Sequence, residues 1–384
     1  MDPTVIIGSG LAGYTLAREF RKLDRDAPLT IVTADDGAFY SKPMLSNALA
    51  AGKLPEQLVN KSAQAMAQEL GAGIITRCSV QAIDRQSRLV RHTRGDTTYS
   101  RLVLALGADP IRLPLAGEGA AAVLSVNSLE DYSRFRAGIA GKRRVAVLGA
   151  GLIGCEFAND LVAAGYTVDV VDIAPQPLGR LLPADTADAL RDALALAGVR
   201  WQLGKRTEAV ERCGDGYTVR FSDGTSIASD AVLSAIGLKP RTALARAAGL
   251  EVDGGIVADR FLRTSDASIY ALGDCAEVEG AVLPFVLPIM HAARALASTL
   301  AGREQALRYP PMPVVVKTPA WPVVVCPPQQ GAAGEWLSES ESGSIASRYV
   351  NAEGRLLAFA LSGKAVERKR QLLAELAGAL VPVA

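Results

Sequence analysis

The chain has 384 residues, of which 49% are hydrophobic and 21% are charged, with 41 basic and 40 acidic side chains. This length corresponds to two or three domains. The formal net charge of +1 excludes a globally electropositive nucleic-acid-binding protein. Five cysteines without a CxxC pair and two histidines argue against a disulfide scaffold or a zinc ribbon, and we predict no metal site.

The apolar segments of the chain are short. No run approaches the roughly 18 uncharged apolar residues of a membrane span. Residues 1–4, which precede the first apolar run, leave no room for a signal peptide. We therefore expect a cytoplasmic protein with reduced thiols and no membrane partner.

The first chemical motif is Gly8-x-Gly10-x-x-Gly13, which follows apolar residues 5–7 and precedes a helical pattern. A second apolar run ends at Asp35. In this context the first glycine permits a tight turn, the second lets the backbone approach a pyrophosphate, and the third allows helix and strand to pack closely. The amino end of the helix then offers free N–H groups to the phosphates.

The same pattern occurs again at Gly149-x-Gly151-x-x-Gly154. It lies between apolar residues 145–148 and a second helical pattern, and the following strand ends at Asp172. Each copy therefore has the strand–turn–helix context that dinucleotide binding requires. Two such units in one chain predict two dinucleotides, a flavin and a nicotinamide.

Three further segments fit this scheme. The apolar runs at 101–107 and 230–237 each end in glycine, at Gly107 and Gly237, and are predicted to close the two units. A third signal, TSDASIYALGD, occupies residues 264–274.

Together, the two glycine motifs and segment 264–274 resemble the flavoprotein disulfide reductases with two dinucleotide-binding domains, and in particular the branch that reduces iron–sulfur proteins. Four shorter segments resemble the bacterial rubredoxin–NAD(+) reductases within that branch: YSKPMLS at 40–46, GCEFAND at 154–160, GDCAE at 273–277 and VKTP at 316–319. The resemblance covers nearly the whole chain.

The resemblance implies an α/β fold with two Rossmann-like dinucleotide-binding domains, for FAD and NAD, and a small α+β carboxy-terminal domain. The FAD-binding domain would comprise residues 1–111 and 239–308, the NADH-binding domain 112–238, and the carboxy-terminal domain 309–384. The sequence agrees independently, because a proline-rich breaker cluster begins at Tyr309 and strand-like runs follow it. A closing helix is predicted from Ala365 to Leu380.

The resemblance also implies a set of cofactor-binding residues. Asp274 would accept a hydrogen bond from the ribityl chain of FAD, and Lys42 would reach the flavin or its phosphates. The backbone at Val80 would meet the adenine, and Val286 would lie beside the isoalloxazine. The predicted cofactor-binding residues are Gly8, Gly10, Leu11, Ala12, Gly13, Ala34, Asp35, Lys42, Pro43, Val80, Ala105, Gly107, Gly149, Gly151, Ile153, Gly154, Glu156, Asp172, Gly237, Gly273, Asp274, Val286 and Lys317.

Asp35 and Asp172 end the second strand of their units, where an acid can hold ribose hydroxyls. In the first unit the sequence leaves open whether Asp35 or Asp36 faces the ribose. In the second unit no basic residue follows Asp172 before Arg180, which favours NADH over NADPH.

Two charged residues are assigned to the neighbourhood of the isoalloxazine by the resemblance, Lys317 near its pyrimidine end and Glu156 near the nicotinamide. A cation at the pyrimidine end would stabilise negative charge on the reduced flavin. Relatives often pair this glutamate with a lysine at the position that Asn47 occupies here. The sequence leaves Lys42 and Asn47 as alternative partners of Glu156. We assign no catalytic acid or base, because the flavin carries the chemistry.

The cysteines restrict the reaction. The CxxxxC and CxxC pairs of disulfide reductases are absent from the sequence, and so is the single cysteine that peroxide-reducing relatives have at position 47. We interpret Cys155 and Cys275 as small buried apolar residues. The flavin would therefore pass its electrons directly to an external acceptor.

The resemblance then implies the acceptor. NADH would give hydride to FAD, which would pass electrons singly to rubredoxin, a small acidic iron protein that feeds, for example, alkane hydroxylation or defence against oxygen and oxidative stress. The docking rim should be locally basic, with Arg112, Arg303, Arg308 and Lys317 as candidates. The first alternative is an NADH-dependent ferredoxin reductase of an oxygenase system, and the second is an FAD- and NADH-binding sensor protein. We expect a monomer.

Overall fold

The computed structural model describes residues 2–329 and 331–379, and the chain divides into two compact units. The first unit comprises Met1–Lys42, Glu56–Asp109 and Leu238–Tyr309. The second unit comprises Pro43–Pro55, Pro110–Gly237 and Pro310–Ala384. Leu380, which the sequence assigns to the closing helix, lies outside the described residues.

The first unit is built on a five-stranded parallel sheet. In spatial order its strands are Ile269–Ala271, Arg101–Leu104, Thr4–Ile7, Leu29–Val32 and Gly73–Ile75. The strand Thr4–Ile7 is buried along its whole length, as expected for a central parallel strand that is covered on both faces. Its side chains share one hydrophobic core with those of the helices Leu11–Leu23 and Val286–Leu300.

Smaller elements complete the first unit. Its other helices are Ala63–Leu70 and Ala243–Ala247. A three-stranded antiparallel sheet contains Val80–Asp84, Leu89–His92 and Gly95–Thr98. Two pairs of short strands are Phe39–Tyr40 with Val59–Lys61 and Ile256–Ala258 with Ala276–Val278. Short strands also occur at Ala108–Pro110 and Leu238–Pro240, and a 3₁₀ turn at Pro55–Leu58. The 3₁₀ turn Lys42–Asn47 starts at the last residue of the segment Met1–Lys42 and otherwise belongs to the second unit.

The second unit repeats the parallel architecture. Its five-stranded parallel sheet has the spatial order Leu124–Ser125, Ala231–Ser234, Arg144–Leu148, Thr167–Asp172 and Val199–Leu203. Its helices are Leu129–Ile139, Leu152–Ala163 and Ala184–Leu196, and a 3₁₀ turn spans Ala120–Ala122. A three-stranded antiparallel sheet contains Thr207–Cys213, Gly216–Phe221 and Ser226–Ser229.

An antiparallel carboxy-terminal sheet also belongs to the second unit. Its spatial order is Val314–Val316, Val323–Cys326, Leu356–Ser362, Ser344–Val350 and Glu335–Glu341. A 3₁₀ turn at Gly363–Arg368 leads into the helix Lys369–Ala379. Leu372 and Leu376 of this helix pack in one core with Phe359 and Leu361 of the sheet.

The predicted fold class is confirmed: two parallel α/β sheets each follow the strand–glycine–helix pattern, and an α+β segment ends the described chain. Residues 43–55 group with residues 110–237, because their backbone is hydrogen-bonded to the helix Leu152–Ala163. The assignment of residues 1–111, 112–238, 239–308 and 309–384 to cofactor domains stays a prediction. Among the described residues, no helix combines the length and the apolar character needed to cross a membrane.

Candidate functional site

The first glycine turn has the geometry of a pyrophosphate cradle. Gly8 adopts φ +112°, and a Cβ atom there would lie 2.2 Å from the carbonyl oxygen of Ala105. A Cβ atom at Gly13 would lie 2.0 Å from the carbonyl oxygen of Gly8, so both positions require glycine. At Gly10 a Cβ atom would meet nothing within 4 Å. The open side of the turn therefore lies where the helix Leu11–Leu23 begins and its first N–H groups are free to bind an anion.

An anchored carboxylate stands beside this turn. Asp35 Oδ1 accepts hydrogen bonds from Ser9 Oγ at 2.9 Å, Thr33 Oγ1 at 2.6 Å and the Gly37 N–H at 2.9 Å. Asp36 instead lies 4.0 Å from Arg77, and its side chain is 57% exposed. Of the two acids that the sequence leaves open, Asp35 is thus the one fixed against the glycine turn.

A second carboxylate approaches the same turn from the strand Ile269–Ala271. A Cβ atom at Gly273 would lie 2.8 Å from Cβ of Ala12, so the loop that carries Asp274 passes close to the first glycine helix. The Asp274 carboxylate is 4.0 Å from Lys42 Nζ. This region of the first unit therefore contains two glycine-containing loops, two carboxylates and one lysine. Such a set of groups fits a dinucleotide with a polyhydroxyl chain.

The other predicted FAD residues are more scattered. Val80 begins a strand and packs against the core of the first unit, as Leu11 does. Val286 begins the helix Val286–Leu300 and is 41% exposed. Gly107, at φ +71°, follows the strand Arg101–Leu104, and Ala34 is exposed. Their contacts with FAD stay predictions.

The second glycine turn repeats the first. Gly149 adopts φ +107°, and a Cβ atom there would lie 2.6 Å from the carbonyl oxygen of Ala235. A Cβ atom at Gly154 would lie 1.9 Å from the carbonyl oxygen of Gly149, whereas one at Gly151 would meet nothing within 4 Å. The second unit therefore has its own cradle, open at the corresponding glycine.

An acid again stands beside this turn. Asp172 accepts the Ala150 N–H through Oδ2 at 2.5 Å and the Ala174 N–H through Oδ1 at 2.7 Å. These two bonds fix the carboxylate at the end of its strand, next to the glycine turn. The predicted neighbours Ile153, which is 39% exposed, and Gly237, at φ +119°, flank the same cradle in sequence or along the sheet.

Behind the second cradle, Glu156 lies in a buried polar cluster. Its side chain is 1% exposed, whereas the Lys317 side chain is 25% exposed. Glu156 Oε2 accepts from Ser46 Oγ at 2.5 Å and forms an ion pair with Lys317 Nζ, while Oε1 accepts the Lys317 main-chain N–H at 3.0 Å. Lys317 Nζ also donates to Ser46 Oγ at 2.8 Å and to the Pro43 carbonyl at 2.6 Å. The buried negative charge is thus compensated by one lysine.

This geometry corrects the predicted partners of Glu156, since its carboxylate is bonded to Lys317 and Ser46 instead of the two residues that the sequence offered. Lys42 lies near Asp274 in the first unit. The side-chain oxygen of Asn47 is buried and has no hydrogen-bond partner among the described residues. The lysine–glutamate pair typical of relatives is therefore present here, with the lysine supplied by residue 317. Lys317 is also a candidate for the docking rim, and that role stays a prediction, although its ammonium group is bonded internally.

Sequence reasoning missed two further polar residues on the helix Leu152–Ala163. Asn159 Oδ1 accepts the Ala320 N–H at 3.1 Å. Asp160 accepts the Leu49 N–H at 2.9 Å and the Ala50 N–H at 3.0 Å, and burial raises the pKa of this carboxyl. The signal was available: with Glu156, these residues stand at spacings of three and four in a helix that is otherwise apolar and largely buried.

The cysteine interpretation is confirmed for the two residues it concerned. Cys155 and Cys275 are both fully buried, and burial raises the pKa of both thiols, that of Cys275 to about 11. All five cysteines are free, and Cys213 is the exposed one. Thiols that stay protonated and enclosed have no role in passing electrons.

Two parallel α/β sheets, each with its own glycine cradle and a fixed acid, define a protein that binds two dinucleotides. The chain belongs to the pyridine nucleotide-disulphide oxidoreductase family, whose model matches residues 2–299. Membership implies the use of a flavin and a nicotinamide nucleotide, and both glycine cradles fit such groups. Residues 306–376 match a second model, described as the rubredoxin binding C-terminal domain.

Individual proteins are similar over almost the whole chain. The rubredoxin-NAD(+) reductase of Alcanivorax borkumensis is 47% identical over 377 residues, which cover 98% of this chain and 99% of that protein. That of Acinetobacter baylyi is 45% identical and covers 100% and 99%. The crystal structure of a ferredoxin reductase from Rhodopseudomonas palustris is similar with a TM-score of 0.88, 27% identity and coverage of 96% and 93%. The resemblance found in the sequence is thus confirmed.

Proposed function

We propose that this chain is an FAD-dependent NADH:rubredoxin oxidoreductase. The observation that carries the proposal is the match of residues 306–376 to a rubredoxin-binding domain. The glycine cradles are general to the family, and the fold is shared with ferredoxin reductases, so neither identifies the electron acceptor. The relatives from Alcanivorax borkumensis and Acinetobacter baylyi support the same acceptor.

FAD would be held by the first unit. The open turn at Gly10 would receive the pyrophosphate on the free N–H groups of the first glycine helix. Asp35 would accept hydrogen bonds from the ribose hydroxyls, since its Oδ1 is fixed by three donors. Asp274 would accept from the ribityl chain, with Lys42 as its neighbouring cation. When bound, a flavin supplies the exchange between hydride transfer and single-electron transfer.

The nicotinamide nucleotide would be held by the second unit, with its pyrophosphate at Gly151 and its ribose at Asp172. NADH is favoured over NADPH because the Asp172 carboxylate would repel a 2′-phosphate. No cation follows it in residues 173–179 to compensate that charge. The proposed roles of Glu156 and Lys317 near the flavin ring stay predictions from the resemblance. All five cysteines are free, which supports the proposed cytoplasmic location.

A reductase of a ferredoxin in an oxygenase system is the second candidate, favoured by the similarity to the Rhodopseudomonas palustris protein. Steady-state NADH oxidation by purified holoenzyme distinguishes the two when rubredoxin, a [2Fe–2S] ferredoxin or no iron protein is supplied. We expect a rubredoxin-dependent rate that falls with ionic strength, and a kcat/KM for NADH well above that for NADPH.

Three other results of this assay would change the proposed function. Equal or higher rates with the ferredoxin would replace rubredoxin by ferredoxin as the acceptor. No acceptor-dependent rate, although the bound flavin is bleached by NADH, would refute both iron-protein acceptors. Slow bleaching by NADH would favour an FAD- and NADH-binding sensor.

A further inference from the structure

The segment between Lys317 and the strand Val323–Cys326 is an exposed apolar turn. Pro319, Ala320 and Pro322 are exposed in it, and Trp321 is partly exposed. We propose that this turn, Thr318–Pro322, and the neighbouring Lys364 form the surface on which the acidic rubredoxin docks. The inference rests on the proposed function and names where its protein partner binds.

The turn is rigid, which suits a docking surface because little conformational entropy is lost on binding. The Trp321 N–H donates to the Thr318 carbonyl at 2.9 Å, and Thr318 Oγ1 donates to the Trp321 carbonyl at 2.7 Å. The Ala320 N–H donates to Asn159 Oδ1 at 3.1 Å. The turn is thus fixed to the helix that carries Glu156, and it begins one residue after Lys317.

Trp321 has a feature that a purely structural residue would not need. Its indole lies over two glycines: a Cβ atom at Gly363 would lie 2.9 Å from indole carbons, and one at Gly343 would lie 4.0 Å away. The indole Nε1 is buried and has no hydrogen-bond partner among the described residues. A buried donor without an acceptor costs free energy, so the indole N–H adds nothing to the stability of the fold. Tryptophan is, however, enriched among residues that dominate binding energy.

Positive charge lies directly beside this turn. The Gly363 N–H donates to the Pro322 carbonyl at 2.9 Å, and the next residue, Lys364, is exposed. The 3₁₀ turn and helix that start here also carry Arg368, Lys369 and Arg370. Cations at the amino end of a helix interact unfavourably with its dipole, so Lys369 and Arg370 do not serve helix stability.

Acidic residues partly offset these cations. Glu339 forms an ion pair with Arg368 at 3.2 Å, and Glu367 lies within the same 3₁₀ turn. Glu341 ends its strand opposite Ser344 of the neighbouring antiparallel strand. The excess of positive charge is therefore small. We expect charge to steer the acidic partner and the apolar turn to supply most of the binding energy, as in small redox interfaces with an apolar centre and a polar rim.

Both parts of the surface lie within residues 306–376, the range that matches the rubredoxin-binding domain. The same domain also provides a matched control, because Arg355 is exposed and precedes the strand Leu356–Ser362, whereas Lys364 follows it. At about 3.3 Å per residue, the strand that separates the two cations is about 23 Å long. Reversing the charge of Arg355 changes the net charge of the domain equally but at the other end of the sheet.

The test uses full-length holoenzyme with the substitutions Trp321→Ala, Trp321→Phe, Lys364→Glu and Arg355→Glu. For each variant, the KM and kcat for a purified acidic rubredoxin are measured at low and high salt, together with anaerobic flavin reduction by NADH. We expect Trp321→Ala to raise the rubredoxin KM at least about ten-fold. Lys364→Glu should raise it about three- to ten-fold at low salt and less at high salt.

In all four variants, the rate of flavin reduction by NADH should equal that of the unaltered enzyme. Trp321→Phe keeps an aromatic side chain in the turn and should raise KM less than Trp321→Ala does, and Arg355→Glu should leave KM unchanged. Normal KM values in both Trp321→Ala and Lys364→Glu would overturn the docking surface alone. Failure of the unaltered enzyme to reduce rubredoxin at all would overturn the proposed function, and with it this occupant of the surface.

Discussion

Replacing Lys317 by methionine isolates the energetic role of the buried ion pair. The substitution keeps the length of the side chain and removes the cation that compensates Glu156, which is 1% exposed. Breaking a buried pair from one side costs about 3–5 kcal/mol. Glu156 keeps the hydrogen bonds from Ser46 Oγ and from the main-chain N–H of residue 317, so we expect the lower end, about 3 kcal/mol.

The reciprocal substitution, Glu156→Gln, should cost less. The Lys317 side chain is 25% exposed and retains the Pro43 carbonyl and Ser46 Oγ as acceptors, so we expect about 1–2 kcal/mol. The double variant leaves neither charge unpaired. Its loss of unfolding free energy should therefore be about 2–3 kcal/mol smaller than the sum of the losses in the two single variants.

Urea unfolding followed by tryptophan fluorescence measures these terms in the relevant part of the protein. The three tryptophans, Trp201, Trp321 and Trp336, all belong to the second unit, as do Glu156 and Lys317. Additive single effects, with a coupling below about 0.5 kcal/mol, would refute the view that Lys317 is the partner that makes the buried carboxylate tolerable.

Three further predictions concern the cradles and the buried groups. Gly151→Ala should leave the unfolding midpoint unchanged, because its Cβ atom meets nothing within 4 Å. It should raise the KM for NADH at least about ten-fold if the pyrophosphate occupies that space, and an unchanged KM would argue against this. Burial raises the pKa of Asp160, so its contribution to stability should fall as pH rises from about 4 through the folded-state pKa. Urea unfolding across this range should show that slope, and Asp160→Asn should remove it. A thiol reagent should label Cys213 rapidly and leave the four buried cysteines intact in mass spectra of the native protein, whereas rapid labelling of Cys155 would contradict its burial.

The parts of the fold that depend on local sequence could be predicted well. The runs around Gly8 and Gly149 combine a short apolar strand, a turn that excludes Cβ atoms and a helix with an apolar face. Each of these signals lies within about 30 residues and has a steric cause. For the same reason, Asp172 could be identified as the acid beside its turn, whereas the sequence left Asp35 and Asp36 as alternatives beside the first turn.

The Glu156 cluster could not be predicted, because its members come from distant parts of the chain. Ser46 and Lys317 lie far from Glu156 in sequence, and nothing local indicates that residues 43–55 fold against the helix Leu152–Ala163. The sequence offers Lys42 and Asn47 as partners because of the position that the lysine has in relatives. It assigns Lys317 to the flavin and to a docking rim, since a lone lysine after an apolar run does not show which charge it faces.

The helix Leu152–Ala163 has a consequence for exchanging parts between relatives. Glu156, Asn159 and Asp160 connect it to residues 46–50 and 317–320, so this interface is shared by three separate stretches of chain. A chimera that receives a foreign carboxy-terminal segment to change its electron acceptor would separate Lys317 from the carboxylate it was matched to. The residues at positions 46, 156 and 317 therefore depend on one another, and a chimera should take all three from the same parent protein.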